Sequence, residues 1–76
     1  MRLKRDADIL GLIRKTKECR GEVIFQTATD SLRLKSHKIA QYVFVAMANN
    51  NSMMRDGEIL CQKEEDYEKL RDYLES

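Results

Sequence analysis

The sequence predicts an α+β domain, a small antiparallel sheet covered on one face by three helices, and three observations carry that prediction. Val23, Phe25 and Thr27 alternate with Glu22, Ile24 and Gln26, and Leu32 and Leu34 alternate with Ser31, Arg33 and Lys35. Alternation at a period of two is that of strands with one buried face, and the turn residues Thr29 and Asp30 between the runs make them a hairpin. Segments before and after the hairpin carry apolar residues at helical spacing. A third short alternating run, Glu58 to Gln62, follows the turn signal Asp56-Gly57.

The elements follow in order. Asp6 is the expected cap of the first helix, since a short carboxylate accepts the free amides of a first turn, and Asp8 adds charge that the helix dipole favours. Ile9, Leu12, Ile13, Thr16 and Cys19 fall on one helical face, Leu10 widens it, and Gly21 is expected to end the helix. Met1 to Arg5 is basic, with Leu3 alone suited to burial. After the hairpin, Ser36 is the expected cap of a second helix whose apolar surface is Ile39, Tyr42, Val43, Val45, Ala46 and Met47. Asn49, Asn50, Asn51 and Ser52 should break it, because their side chains compete for backbone hydrogen bonds, and Met53 and Met54 then fall in a loop. The third strand places Ile59 and Cys61 on one face and Leu60 on the other. Glu64, Glu65 and Asp66 favour a last helix start, with Tyr67, Leu70 and Leu74 along its inner face.

Seventy-six residues make a single domain over 1–76 with a core of marginal size. A composition of 42% hydrophobic and 36% charged residues is that of a globular chain. The net charge of +1 supplies no general attraction to nucleic acid. No apolar run is long enough to span a membrane or to serve as a signal peptide. Two cysteines at unrelated spacing suggest small buried residues in a reducing cytoplasm rather than a disulfide framework or zinc site. No cofactor or metal is expected: the chain holds one histidine, His37, and no glycine-rich loop.

The order helix, hairpin, helix, strand, helix resembles the histidine-containing phosphocarrier protein HPr of the bacterial sugar phosphotransferase system. KECRGEV stands where that family's first helix runs into its strand, with Cys19 in the place of an aromatic. Leu34-Lys35-Ser36 resembles the end of the family's third strand and the serine that a regulatory kinase phosphorylates in some bacteria. DGEILCQ resembles its last strand and EEDYEKLRDYL its final helix. The resemblance implies an HPr-like open-faced sandwich and marks Ser36 as a regulatory phosphorylation site, although capping alone also explains a serine there.

Three departures bear on function. The family's first strand is reduced to Met1–Lys4, and the second helix with its loop is longer by about nine residues than the resembled pattern. The His-Ala-Arg-Pro motif of the phosphocarrier site aligns with Arg5, Asp6, Ala7 and Asp8. A phosphocarrier needs an imidazole nucleophile beside free helix amides. A guanidinium stays protonated and cannot replace it, and Asp6 and Asp8 repel an anion from that helix end. Arg2, Lys4 and Arg5 remain as a weak anion contact.

The expected function is therefore a degenerate, non-catalytic HPr-like module that binds a protein partner or itself, without a nucleic-acid or membrane partner. The alternative is a phosphocarrier using His37 or a missing N-terminal segment. The expected interface residues are Ile24, Leu60 and His37. A first strand too short to pair would leave Glu58–Gln62 an open edge, and Ile24 and Leu60 should project side by side from the uncovered sheet face. Both features predict a homodimer. Charge is also uneven: residues 1–38 carry ten Lys/Arg against five Asp/Glu, and residues 39–76 four against eight. Head-to-tail pairing would use that asymmetry.

Overall fold

A computed structural model describes residues 1–48 and 57–75. Its elements are α1 (Ile9–Thr16), β1 (Val23–Gln26), β2 (Ser31–Arg33), α2 (Lys38–Ala48), β3 (Glu58–Cys61) and α3 (Asp66–Leu70), which runs into a 3₁₀ turn, Arg71–Tyr73. The sheet is antiparallel in the order β2-β1-β3, with Phe25 opposite Leu32 on one side and Ile59 on the other. The expected class and strand order hold, although each strand is shorter than its alternating run.

The register is the one the alternation predicts. Val23, Phe25, Leu34 and Ile59 are buried beneath the helices with Leu12, Leu70 and Leu74, and Leu32, Cys61 and Ile13 pack against them. Ile24 pairs with Leu60 on the uncovered face. Phe25 and Phe44 meet at the centre, ring centroids 4.9 Å apart and tilted by 56°, a favourable aromatic geometry.

Several local expectations are corrected. The cap of α1 is Asp8, whose Oδ1 accepts from the Gly11 amide at 3.1 Å; Asp6 lies two residues too early. Helix α1 ends at Thr16 without a left-handed glycine, and no described glycine has positive φ. The hairpin turn is organised by Thr27, whose hydroxyl accepts from the amides of Thr29 and Asp30. Leu10 faces solvent. The expected break at Asn49–Ser52, the loop methionines Met53 and Met54 and the turn residue Asp56 lie outside the described residues.

The largest difference is in α2. Ala40, Phe44 and Met47 form its buried face, whereas Ile39 is 70% exposed, Tyr42 81% and Val43 41%. The segment is apolar nearly all round, so its periodicity leaves the inner face undetermined.

The edge of β3 is also not open. The Met1 nitrogen donates to the Ile59 carbonyl at 3.0 Å, and the Met1 carbonyl accepts from the Ile59 amide at 2.7 Å. The Cys61 amide donates to the Tyr67 hydroxyl at 3.1 Å. Leu3 bridges to Leu74, and the amides of Lys4 and Glu75 donate to the carbonyls of Tyr73 and Arg2. The short N-terminal segment thus pairs, and of the groups that β3 turns outward the Ile59 amide and carbonyl and the Cys61 amide have partners.

Asp66 does more than favour a helix dipole. Its side chain is fully buried and accepts from the amides of Arg20 at 3.0 Å and Gly21 at 2.9 Å, with Lys69 Nζ 3.6 Å away. It ties the segment after α1 to the start of α3. Burial by itself would raise its pKa, but the Gly21 and Arg20 amides and the Lys69 charge outweigh burial and hold the carboxyl below its ordinary 3.8. A folded pKa below the unfolded one gives stabilisation that is complete above the unfolded value and lost as pH falls through the folded one. From pH 3.8 downward, the melting temperature of the native chain is expected to fall more steeply than that of Asp66→Asn. Parallel acid limbs in thermal melts would show that another group controls the transition.

Candidate interaction surface

The uncovered surface of α2 arises from its sequence, KIAQYVFVAMA. Ile39, Tyr42, Val43 and Ala46 stand at i, i+3, i+4 and i+7 and are all exposed, so one apolar stripe faces solvent while another packs on the sheet. Scattered exposed aliphatics need no explanation, but a contiguous stripe on an ordered helix does.

Beside the stripe, α2 and β2 enclose an open groove of about 420 Å³ lined by Leu32, Ile39, Ala40 and Val43 together with Ser31, Arg33 and His37. Its charged lining is cationic: Arg33 lines the groove, Lys38 opens α2, and α2 contains no acidic residue.

His37, expected at the interface, lines this groove and also caps α2: its Nδ1 accepts from the Ala40 amide at 3.2 Å. That bond assigns the proton of the neutral ring to Nε2 and engages the nitrogen nearer the backbone. The cap expected of Ser36 is therefore made one residue later. Ser36 instead donates its hydroxyl to Glu22 Oε2. Glu22 Oε1 accepts from the amides of Lys35 at 2.9 Å and Val23 at 3.1 Å, so one carboxylate gathers the end of the hairpin. Burial opposes the Glu22 charge, but Ser36, the two amides and the nearby Arg33 prevail and lower its pKa from the ordinary 4.5. A phosphoryl group on Ser36 would remove the donated hydrogen and set a dianion against Glu22, the reverse of the favourable setting that a free helix N-terminus gives a phosphate.

The other expected residues lie elsewhere. Ile24 is half-buried and Leu60 is 37% exposed, and the two are adjacent on the open sheet face as expected, away from α2 and its groove. Arg2, Lys4 and Arg5 have exposed side chains on the N-terminal segment. The start of α1 is already served by the Asp8 carboxylate, which leaves these cations beside a negative cap. The two cysteines are free, and burial raises both thiols, Cys61 to about 11, so neither is activated as a thiolate.

The groove escaped the sequence reading because it depends on which face α2 buries. The available signal was the surplus of apolar residues in Lys38–Ala48 over what one face needs. No helix among the described residues is long and apolar enough to cross a membrane. No protein-family model, curated protein or solved structure matches this chain.

Proposed function

We infer that this chain is a protein-interaction module of HPr-like arrangement, working in the cytoplasm without phosphocarrier chemistry, and that its binding surface is the outer face of α2 with the adjoining groove. The observation that carries the reading is the exposed stripe of Ile39, Tyr42 and Val43 beside a largely apolar groove whose lining includes Arg33 and His37. An ordered helix with this much apolar side chain in solvent is suited to cover by another protein. The HPr-like element is supported by the element order and by the N-terminal segment, which lies beside β3 where the resemblance places the family's first strand. The alternative use of His37 as a phosphoryl acceptor is disfavoured at Nδ1, which the Ala40 amide occupies.

Two measurements test the reading. Incubation with the general phosphotransferase enzyme and labelled phosphoenolpyruvate is expected to leave the chain unlabelled, and stoichiometric acid-labile label would overturn it. At low micromolar concentration, Ile39→Lys and Tyr42→Lys are expected to melt within about 0.5 kcal/mol of the native chain, as for solvent-facing positions. Loss of stability comparable to a core truncation would assign the stripe to the fold rather than to a partner.

A further inference from the structure

Strand β2 is the outer strand of the sheet. The Leu34 amide donates to the Val23 carbonyl and the Thr27 amide to the Asp30 carbonyl, which brackets Phe25–Leu32 as the hydrogen-bonded pair between them. By the alternation of an antiparallel ladder, Leu32 turns its amide and carbonyl toward β1, while Ser31 and Arg33 turn theirs away. Among the described residues, no hydrogen bond engages those groups of Ser31 or Arg33. Among the described residues, the sheet's unpaired edge is thus at β2, on the side opposite the edge that Met1 covers. It lies directly beside the exposed stripe of α2, and the groove is the space between them.

We propose that the occupant of this surface is a second copy of the chain, joined edge to edge at β2 about a two-fold axis perpendicular to the sheet. This rests on the reading of the α2 face as the binding surface and names its partner. One symmetry operation answers both features. Antiparallel pairing of β2 with its copy continues the sheet to six strands, and the two α2 helices, which lie on the same side of the joined sheet, come together along their exposed stripes. The register follows from the outward groups. Placing Leu32 opposite its own copy sets Ser31 against Arg33 of the second copy, and Arg33 against Ser31. All four outward amides and carbonyls on each strand then find partners, and no arginine stands directly opposite another. The two Leu32 side chains, on the helix side of the sheet, meet beneath the α2 seam and turn two open grooves into one shared apolar layer. The helices run antiparallel across the axis. Each cationic start, with Lys38, therefore approaches the carbonyl end of the other, whose last turn carries no basic residue.

The seam is short, three strand residues and one helical stripe, and falls below the roughly 800 Å² per partner of a standard interface. The dimer is accordingly weak, with a dissociation constant on the order of tens to hundreds of micromolar. Sedimentation equilibrium over low micromolar to millimolar concentrations is expected to show a monomer–dimer equilibrium. Val43→Lys and Tyr42→Lys are each expected to weaken it by about tenfold or more. Ser31→Pro, which removes an outward amide from an edge strand, should do the same, while Leu60→Lys on the open sheet face should leave it unchanged. Amide exchange gives the independent readout: protection of Ser31 and Arg33 should rise with concentration, while that of Leu32 stays constant.

A monomer throughout the range overturns the proposal, as does a dimer that Leu60→Lys dissolves and Val43→Lys and Tyr42→Lys preserve. So does concentration-independent exchange at Ser31 and Arg33. A monomer whose Ile39→Lys and Tyr42→Lys variants melt like the native chain removes the second copy but keeps the face as a site for a different protein. A monomer whose variants melt early removes both.

Discussion

Phe44→Ala is expected to cost about 3–5 kcal/mol in urea denaturation, the range for truncating a buried aromatic. A chain of 76 residues has roughly 4–11 kcal/mol of stability in total, at about 0.05–0.15 kcal/mol per residue. The loss therefore removes between about a quarter and all of that stability. Phe44 is fully buried and its ring meets Phe25 across the centre of the core, so truncation opens a cavity against the sheet and removes an aromatic pair together. Tyr42→Ala, two residues away on the exposed face, is expected to change stability by no more than about 0.5 kcal/mol. Equal losses from the two variants would mean that α2 is rotated relative to the arrangement described here. The contrast isolates the helix face, because both substitutions remove an aromatic ring from the same helix and carry a similar propensity gain.

Gly57→Ala is expected to destabilise by about 1–3 kcal/mol, as overpacking does in a well-filled core. A Cβ at Gly57 would lie within the envelope of the Phe25 ring, against Cζ and Cε1, and 2.9 Å from Cε2. Gly57 has no positive φ, so close approach rather than backbone conformation requires glycine there. Phe25 cannot yield easily, since Phe44 packs on it. A double-mutant cycle tests the cause: in a Phe25→Leu background the added methyl should cost clearly less, a coupling expected between groups in contact. Additive losses would place the strain elsewhere. The sequence marked Asp56-Gly57 as a turn; at Gly57 the structure adds a steric demand that a turn signal does not contain.

These two residues show where local pattern reaches its limit. The hairpin, its register and the pairing of Ile24 with Leu60 were legible because strand alternation is a property of consecutive residues: a slip by one would bring Glu22, Gln26 and Arg33 into the core. The inner stripe of α1 was legible for the same reason, since Arg14, Lys15 and Lys17 oppose Leu12 and Thr16. In α2 no such opposition exists. Only Lys38 and Gln41 are polar between residues 38 and 48, so the buried face was chosen by fit, the Phe44 ring filling the space over Phe25.

The candidate site was legible only in part. His37 could be named from the sequence, but its groove could not, because the groove is made by the rotation of α2 relative to β2. The cap at His37 rather than Ser36 follows from Glu22, 14 positions from Ser36, taking the serine hydroxyl. Closure of the β3 edge depends on Met1, 58 positions away from Ile59.

What the sequence by itself determined was the α+β class, the strand register and most of the core, each encoded in the spacing of neighbouring apolar residues. Only the tertiary structure decided the face of α2, the burial of Asp66 against amides 45 and 46 positions away, and the covering of the β3 edge by Met1. Those outcomes depend on groups distant in the chain competing for the same space or the same hydrogen bond, and no local spacing records which of them prevails.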